Sequence, residues 1–232
     1  MRGPLVILYE DEDILAINKP PGILVHRSKV SSRSEEAMLQ IVRDYLGQRV
    51  FAVHRLDRAT SGVLLFAKSS TTASLLGKQF QDKTVGKIYE GVVRGWPKAQ
   101  LIDYPLVRLD NAQSQDARTT IEILGQTILP IASDRYPESR YAWIRLLPET
   151  GRRHQLRRHM KHTHHPLIGD SCYGHGVHNR LFREHFDSHR LLLHNSELAF
   201  DLPNGQRILL KAAHEEGFEK ILRLFENCRS PS

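Results

Sequence analysis

The sequence predicts an α+β fold with a central sheet, mixed or mostly antiparallel, flanked by helices and loops. Three observations carry this. Apolar, strand-like runs occur in clusters rather than in strict alternation with helices, which disfavours a doubly wound parallel sheet. Asn204-Gly205 sits between two apolar runs, a strong hairpin signal. Helical periodicity appears only in separated segments.

In chain order, "VILYEDEDILAINKP" (6–20) predicts two short strands around the acidic turn Glu10–Asp13, ending at Pro20-Pro21-Gly22. "SRSEEAMLQIVRDYLGQ" (32–48) predicts an amphipathic helix. Ser32 and Glu35 have capping-box spacing, Met38, Ile41, Val42 and Tyr45 form one face, and Gly47 suits the stop. "GVLLFAK" (62–68) predicts a buried strand. "STTASLLGKQFQ" (70–81) predicts a helix with Ala73, Leu76, Gly77 and Phe80 on one face. "GKIYEGVVRG" (86–95) and "SRYAWIRLLPE" (139–149) predict strands, and the polar run 109–118 an exposed connection. A basic helix is expected from near Gly151, a hairpin over 191–212, and a last amphipathic helix over 214–227.

A chain of 232 residues can form one domain or two closely joined lobes, and a single catalytic domain over 1–232 is the expectation. No apolar run is long enough to span a membrane, and acidic residues by Glu10 argue against a targeting peptide. Cys172 and Cys228 give no disulfide framework, which points to a cytoplasmic compartment. The net charge of +7 favours a polyanionic partner. The charge is concentrated: Thr150–His165 carries five Lys/Arg and five His with no acid.

Nucleotide-binding and zinc-protease fingerprints are absent. The histidines of 154–165 match no standard zinc spacing, so they read as hydrogen-bond donors to phosphate and base edges, and no metal is expected. Ser61 near His54 has no nucleophile elbow around it. Attention therefore falls on Asp57 in "HRLDRATSG" (54–62), where polar groups crowd the entrance to a buried strand. A nearby arginine would hold such a carboxylate ionised, able to act as nucleophile or base without a cofactor.

Six segments resemble, in order, the motifs of the RluA-type pseudouridine synthases: "NKPPG" (18–22), "HRLDRATSG", "KIYEGVVRG" (87–95), "TGRRHQLRRH" (150–159), "HPLIGDSCYG" (165–174) and "LLLH" (191–194). The resemblance implies that family's fold, with an active-site cleft across the sheet, and conversion of a uridine to pseudouridine without cofactor. By position it makes Asp57 the catalytic aspartate, Tyr89 the tyrosine stacked on the flipped base, and Arg157 the ion-pair partner of Asp57. Leu193 becomes an apolar contact to the base, and Arg55 the wedge entering the space left by the flipped uridine. Lys19, Arg152, Arg153, His154, Arg158 and Lys161 become backbone contacts. An N-terminal S4-type domain, frequent in the family, is not expected here. Details such as "GILVHRS" and "LIDYPLVR" are similar to the branch modifying uridine 65 of tRNA. Ribosomal RNA, another tRNA position, or a catalytically idle RNA-binding module stay open as alternatives. A monomer with no obligatory protein partner is the simplest expectation.

Overall fold

The computed structural model describes residues 5–27, 36–133 and 136–226. The contacts divide the chain into two compact units, Met1–Lys87 with Asn195–Ala213, and Ile88–His194 with His214–Ser232.

In the first unit, β1 (Ile7–Glu10) and β2 (Ile14–Lys19) form a hairpin closed by the Asp11 carboxylate, which accepts the Asp13 and Ile14 N–H groups. The strands run β1-β2-β4-β11, where β4 is Ser61–Ala67 and β11 is Leu193–Asp201. The short β3 (Phe51–Ala52) pairs with β4, and β12 (Arg207–Lys211) with β11. The β1–β2, β2–β4, β3–β4 and β11–β12 pairings are antiparallel. Every residue of β4 is buried, which explains why its sequence shows no alternation. One face carries Ile14, Ala16, Val63, Leu65, Leu198 and Phe200, and packs with Leu76 of α2 (Ser70–Gln81). Ser69 caps α2, accepting the Thr72 N–H at 3.0 Å.

Helix α1 runs Met38–Leu46 and ends at Gly47, whose φ of 65° is the left-handed stop read from the sequence. Its start is shorter than expected, and the Ser32/Glu35 box lies outside the described residues. Tyr45 is a correction: it is exposed, with its hydroxyl donating to Glu10 at 3.2 Å.

In the second unit the order is β5-β10-β9-β6, with β5 Gly86–Arg94, β6 Gln100–Asp103, β9 Arg118–Leu129 and β10 Ser139–Pro148. The β5–β10, β9–β10 and β6–β9 pairings are antiparallel. β7 (Leu106–Val107) and β8 (Ser114–Gln115) form a small separate ladder. Helices α3 (Gln155–His162), α4 (Gly176–Phe186) and α5 (Glu216–Glu226) complete the unit. Its core joins Val92 and Tyr141 with Leu181 and Phe182 of α4 and Phe218, Ile221, Leu222 and Phe225 of α5. The expected α+β class is observed. Among the described residues, no helix is long and apolar enough to cross a membrane.

Candidate active site

In the first unit the candidate site is a loop between β3 and β4, held from behind. The Thr60 N–H donates to the Asp57 carbonyl at 3.0 Å, making a turn with Asp57 at its head. Lys19 is fully buried beneath it, and its ammonium donates to the carbonyls of Pro20 (2.8 Å), Arg58 (3.2 Å) and Thr60 (2.8 Å). Three acceptors satisfy the three protons of an ammonium, and this compensates for burying the charge. Lys19 is therefore a correction to the expected phosphate contact: it is the internal strut of the Asp57 turn. Arg58 joins the same clamp. Its Nε donates to the Gly22 carbonyl at 2.9 Å, while its own carbonyl accepts the Gly22 N–H at 2.8 Å. "NKPPG" thus serves to shape "HRLDRATSG".

His54 is structural as well. Its Nε2 accepts the Leu65 N–H at 3.1 Å, which requires a ring with no proton on that nitrogen, and it stacks on Phe80. Burial, with a smaller effect from Lys87, pushes its pKa down to about 3. Gly62 has φ of 110°, and a Cβ there would fall 2.2 Å from the Asn195 carbonyl oxygen, so only glycine fits. Leu56 points into the interior, Asp57 is half-buried, and Arg55 is exposed.

In the second unit the basic segment begins with a turn, and α3 starts at Gln155 rather than near Gly151. Gln155 explains the turn. Its Oε1 accepts from the Thr150 hydroxyl (2.7 Å) and the Arg152 N–H (3.0 Å). Its Nε2 donates to Arg118 O and Thr119 Oγ1 on β9. His159 is fully buried, with Nε2 donating to the Tyr104 carbonyl at 3.0 Å and Nδ1 beside the Thr119 hydroxyl at 2.9 Å. It is a correction to the reading of these histidines as RNA contacts. Arg153, Lys161 and His162 are exposed, and Arg158 is half-exposed. Arg152 is half-buried and donates from Nε to the Asp116 carbonyl.

Arg157 is buried and meets Asp170 in a bidentate pair, Nε to Oδ2 and Nη2 to Oδ1, both at 2.7 Å. Asp170 Oδ1 also accepts the Cys172 and Tyr173 N–H groups at 2.9 Å. Burial works to raise the Asp170 pKa, but the Arg157 guanidinium and these N–H groups outweigh it and hold it below the ordinary carboxylate value. The Tyr173 ring lies under the guanidinium at 5.2 Å, and its hydroxyl meets His154 Nδ1 at 3.0 Å. Arg157 and His154 are thus joined through Tyr173. Tyr89 lies on β5 opposite Leu146 and is half-buried; Leu193 is buried at the start of β11.

Two residues were missed in the sequence, Asp170 and Tyr173. Their signal was present in "HPLIGDSCYG", but an Asp in a glycine-bounded loop reads as a turn former until its partner is known. Gly169, with φ of 77°, and Gly174 shape that loop: a Cβ on either would overlap a carbonyl oxygen, of Arg190 at 1.8 Å or of Asp170 at 2.1 Å.

A family model described as RNA pseudouridylate synthase matches residues 13–162. The chain is 45% identical to tRNA pseudouridine synthase C of Vibrio cholerae over 95% of its length and 96% of that protein. It is 44% identical to the protein of that name from Pasteurella multocida, over 96% of each. Among solved structures, human RNA Pseudouridylate Synthase Domain Containing 4 superposes with a TM-score of 0.74 at 24% identity, covering 94% of this chain and 92% of that one, a likeness of fold. With these matches spanning most of its length, the chain belongs to the RNA pseudouridylate synthase family.

Proposed function

We propose that this protein is a cytoplasmic tRNA pseudouridine synthase, acting as a monomer on uridine 65 without cofactor. The observation that carries the tRNA assignment is the 42–45% identity, over 95–96% of the chain, to relatives that bear the name tRNA pseudouridine synthase C.

The reaction is an isomerisation. The C1′–N1 bond breaks, the uracil turns, C1′ bonds to C5, and the C5 proton is lost while N1 gains one. A stacked uridine exposes neither C1′ nor C5 to a protein pocket, so the base must leave the helix. Exposed Arg55 is suited to fill the space it vacates. Asp57, on a turn fixed by the Lys19 strut, supports glycosidic cleavage. Tyr89 stacks on the base and assists loss of the C5 proton, Leu193 packs against it, and Arg157 keeps Asp57 ionised. Arg153, Arg158 and Lys161, with Arg152 and His154, meet the phosphates.

The test is incubation of the purified protein with unmodified tRNA transcripts, followed by carbodiimide-adduct mapping of pseudouridine. A single new pseudouridine at position 65, lost in Asp57→Asn, is the expected result. An unmodified tRNA, or a wild-type rate for Asp57→Asn, would overturn the assignment.

A further inference from the structure

Arg157 is asked to serve a carboxylate at the reacting centre, yet its guanidinium is already engaged by another. The bidentate bond to Asp170 uses Nε and Nη2. An arginine held in this way cannot rotate about its last bonds, and its guanidinium plane is set by the pair rather than by the long side chain. A flexible arginine facing a single carboxylate would instead collapse onto it in whichever geometry gave the closest contact.

The clamp is itself anchored. Asp170 is almost wholly buried, and further hydrogen bonds fix its backbone and carboxylate. Its Oδ1 takes the two N–H groups of Cys172 and Tyr173. Its carbonyl accepts from Asn179 Nδ2 at 2.9 Å, and Asn179 Oδ1 accepts the N–H of Gly169 at 2.8 Å. Tyr173 closes the lower face of the guanidinium. Such an array is more than a buried arginine needs for neutralisation, which one carboxylate supplies.

We propose that Asp170 and Tyr173 are positioning residues of the pseudouridine synthase reaction: they fix the guanidinium plane of Arg157, and so the direction in which that arginine can act. The proposal rests on the reading of Arg157 as the partner of the catalytic aspartate. Neither Asp170 nor Tyr173 needs to touch RNA for this role.

The test is a double-mutant cycle on the full chain, reading single-turnover pseudouridine formation and tRNA affinity separately. The variants are Asp170→Asn, Arg157→Met and both together, with folding checked by circular dichroism. Asn keeps the acceptor for the Cys172 and Tyr173 N–H groups, but it removes the negative charge and turns an N–H donor toward Arg157 Nε. It is expected to slow the chemical step about 10- to 100-fold, as misplacement of a catalytic group does. The tRNA dissociation constant should change less than about threefold. In the double variant the rate should equal that of Arg157→Met alone, because Asp170 acts only through Arg157.

A folded Asp170→Asn at wild-type rate beside a slow Arg157→Met overturns this proposal alone. A double variant slower by the product of the two single effects also overturns it. A wild-type rate for Arg157→Met overturns the role of Arg157 and this proposal together. Should Asp170→Asn fail to fold, Tyr173 decides. Tyr173→Leu removes the ring under the guanidinium and should slow the chemical step, and Tyr173→Phe should recover most of that loss. A wild-type rate for Tyr173→Leu overturns the proposal.

Discussion

Lys19 shows how far one side chain's role depends on its acceptors. In sequence it is a lysine in a strongly basic chain, indistinguishable from a phosphate contact. In the structure its three protons go to three carbonyls, two of them in the Asp57 loop. Lys19→Met leaves those carbonyls unsatisfied, and should cost about 2–4 kcal/mol, measured by urea denaturation. It should leave the slope of log K against log salt for tRNA unchanged, whereas loss of a true phosphate contact lowers that slope by about one. The same limit applied to Asp170. Residue type and motif order pointed to Asp57 as a candidate, but not to the buried Lys19 that holds its turn or to the Asp170 that holds Arg157.

At the scale of elements, legibility followed the chemistry of the buried face. β4 is one continuous buried run and β5 carries a short one, while β10, α2 and the 193–211 hairpin bury side chains at spaced positions, and the sequence shows both patterns. α4 does not. Two of its buried positions are His178, whose Nδ1 meets the Tyr141 hydroxyl at 2.8 Å, and Asn179, which ties down the Asp170 loop. Their polarity hides the helical period. α3 was placed four residues early because the Gln155 contacts that end the preceding turn are invisible in sequence. Helix ends also differ in weight. Ser69→Ala at the start of α2 should cost about 1 kcal/mol, seen as a lower urea midpoint with unchanged m-value. Burial of four apolar side chains on α5 contributes about 1.5–3 kcal/mol each, so packing, not capping, decides whether that helix stays docked.

For the whole molecule, two histidines give the units opposite responses to pH. His54, in the first unit, has its pKa lowered to about 3 from an ordinary 6.5. Its contribution is present above 6.5 and is lost as pH falls toward the folded value, on the order of 1 kcal/mol for each pH unit. His214, in the second, is opposed by burial, yet Glu90 and Glu219 outweigh this and hold its pKa above 6.5. Its contribution is complete below 6.5 and is lost as pH rises through the raised value. Urea unfolding across about pH 4 to 9 should therefore show the first unit weakening in acid and the second in mild alkali. His54→Gln should flatten the acid limb, and His214→Gln the alkaline one.

The division of the chain has a consequence for its synthesis. The first unit takes its last two strands from Asn195–Ala213, more than a hundred residues after the Asp57 loop leaves the ribosome. Loop closure over such a separation is slow, and exposed strand edges invite wrong partners meanwhile. Until then Gly62 waits for Asn195, the backbone it must lie against, and β4 lacks one neighbour. A nascent chain halted before β11 would carry every residue of the aspartate motif and still present it on an unfinished sheet. The Asp57 turn is thus complete as sequence well before the sheet that supports it is complete as structure.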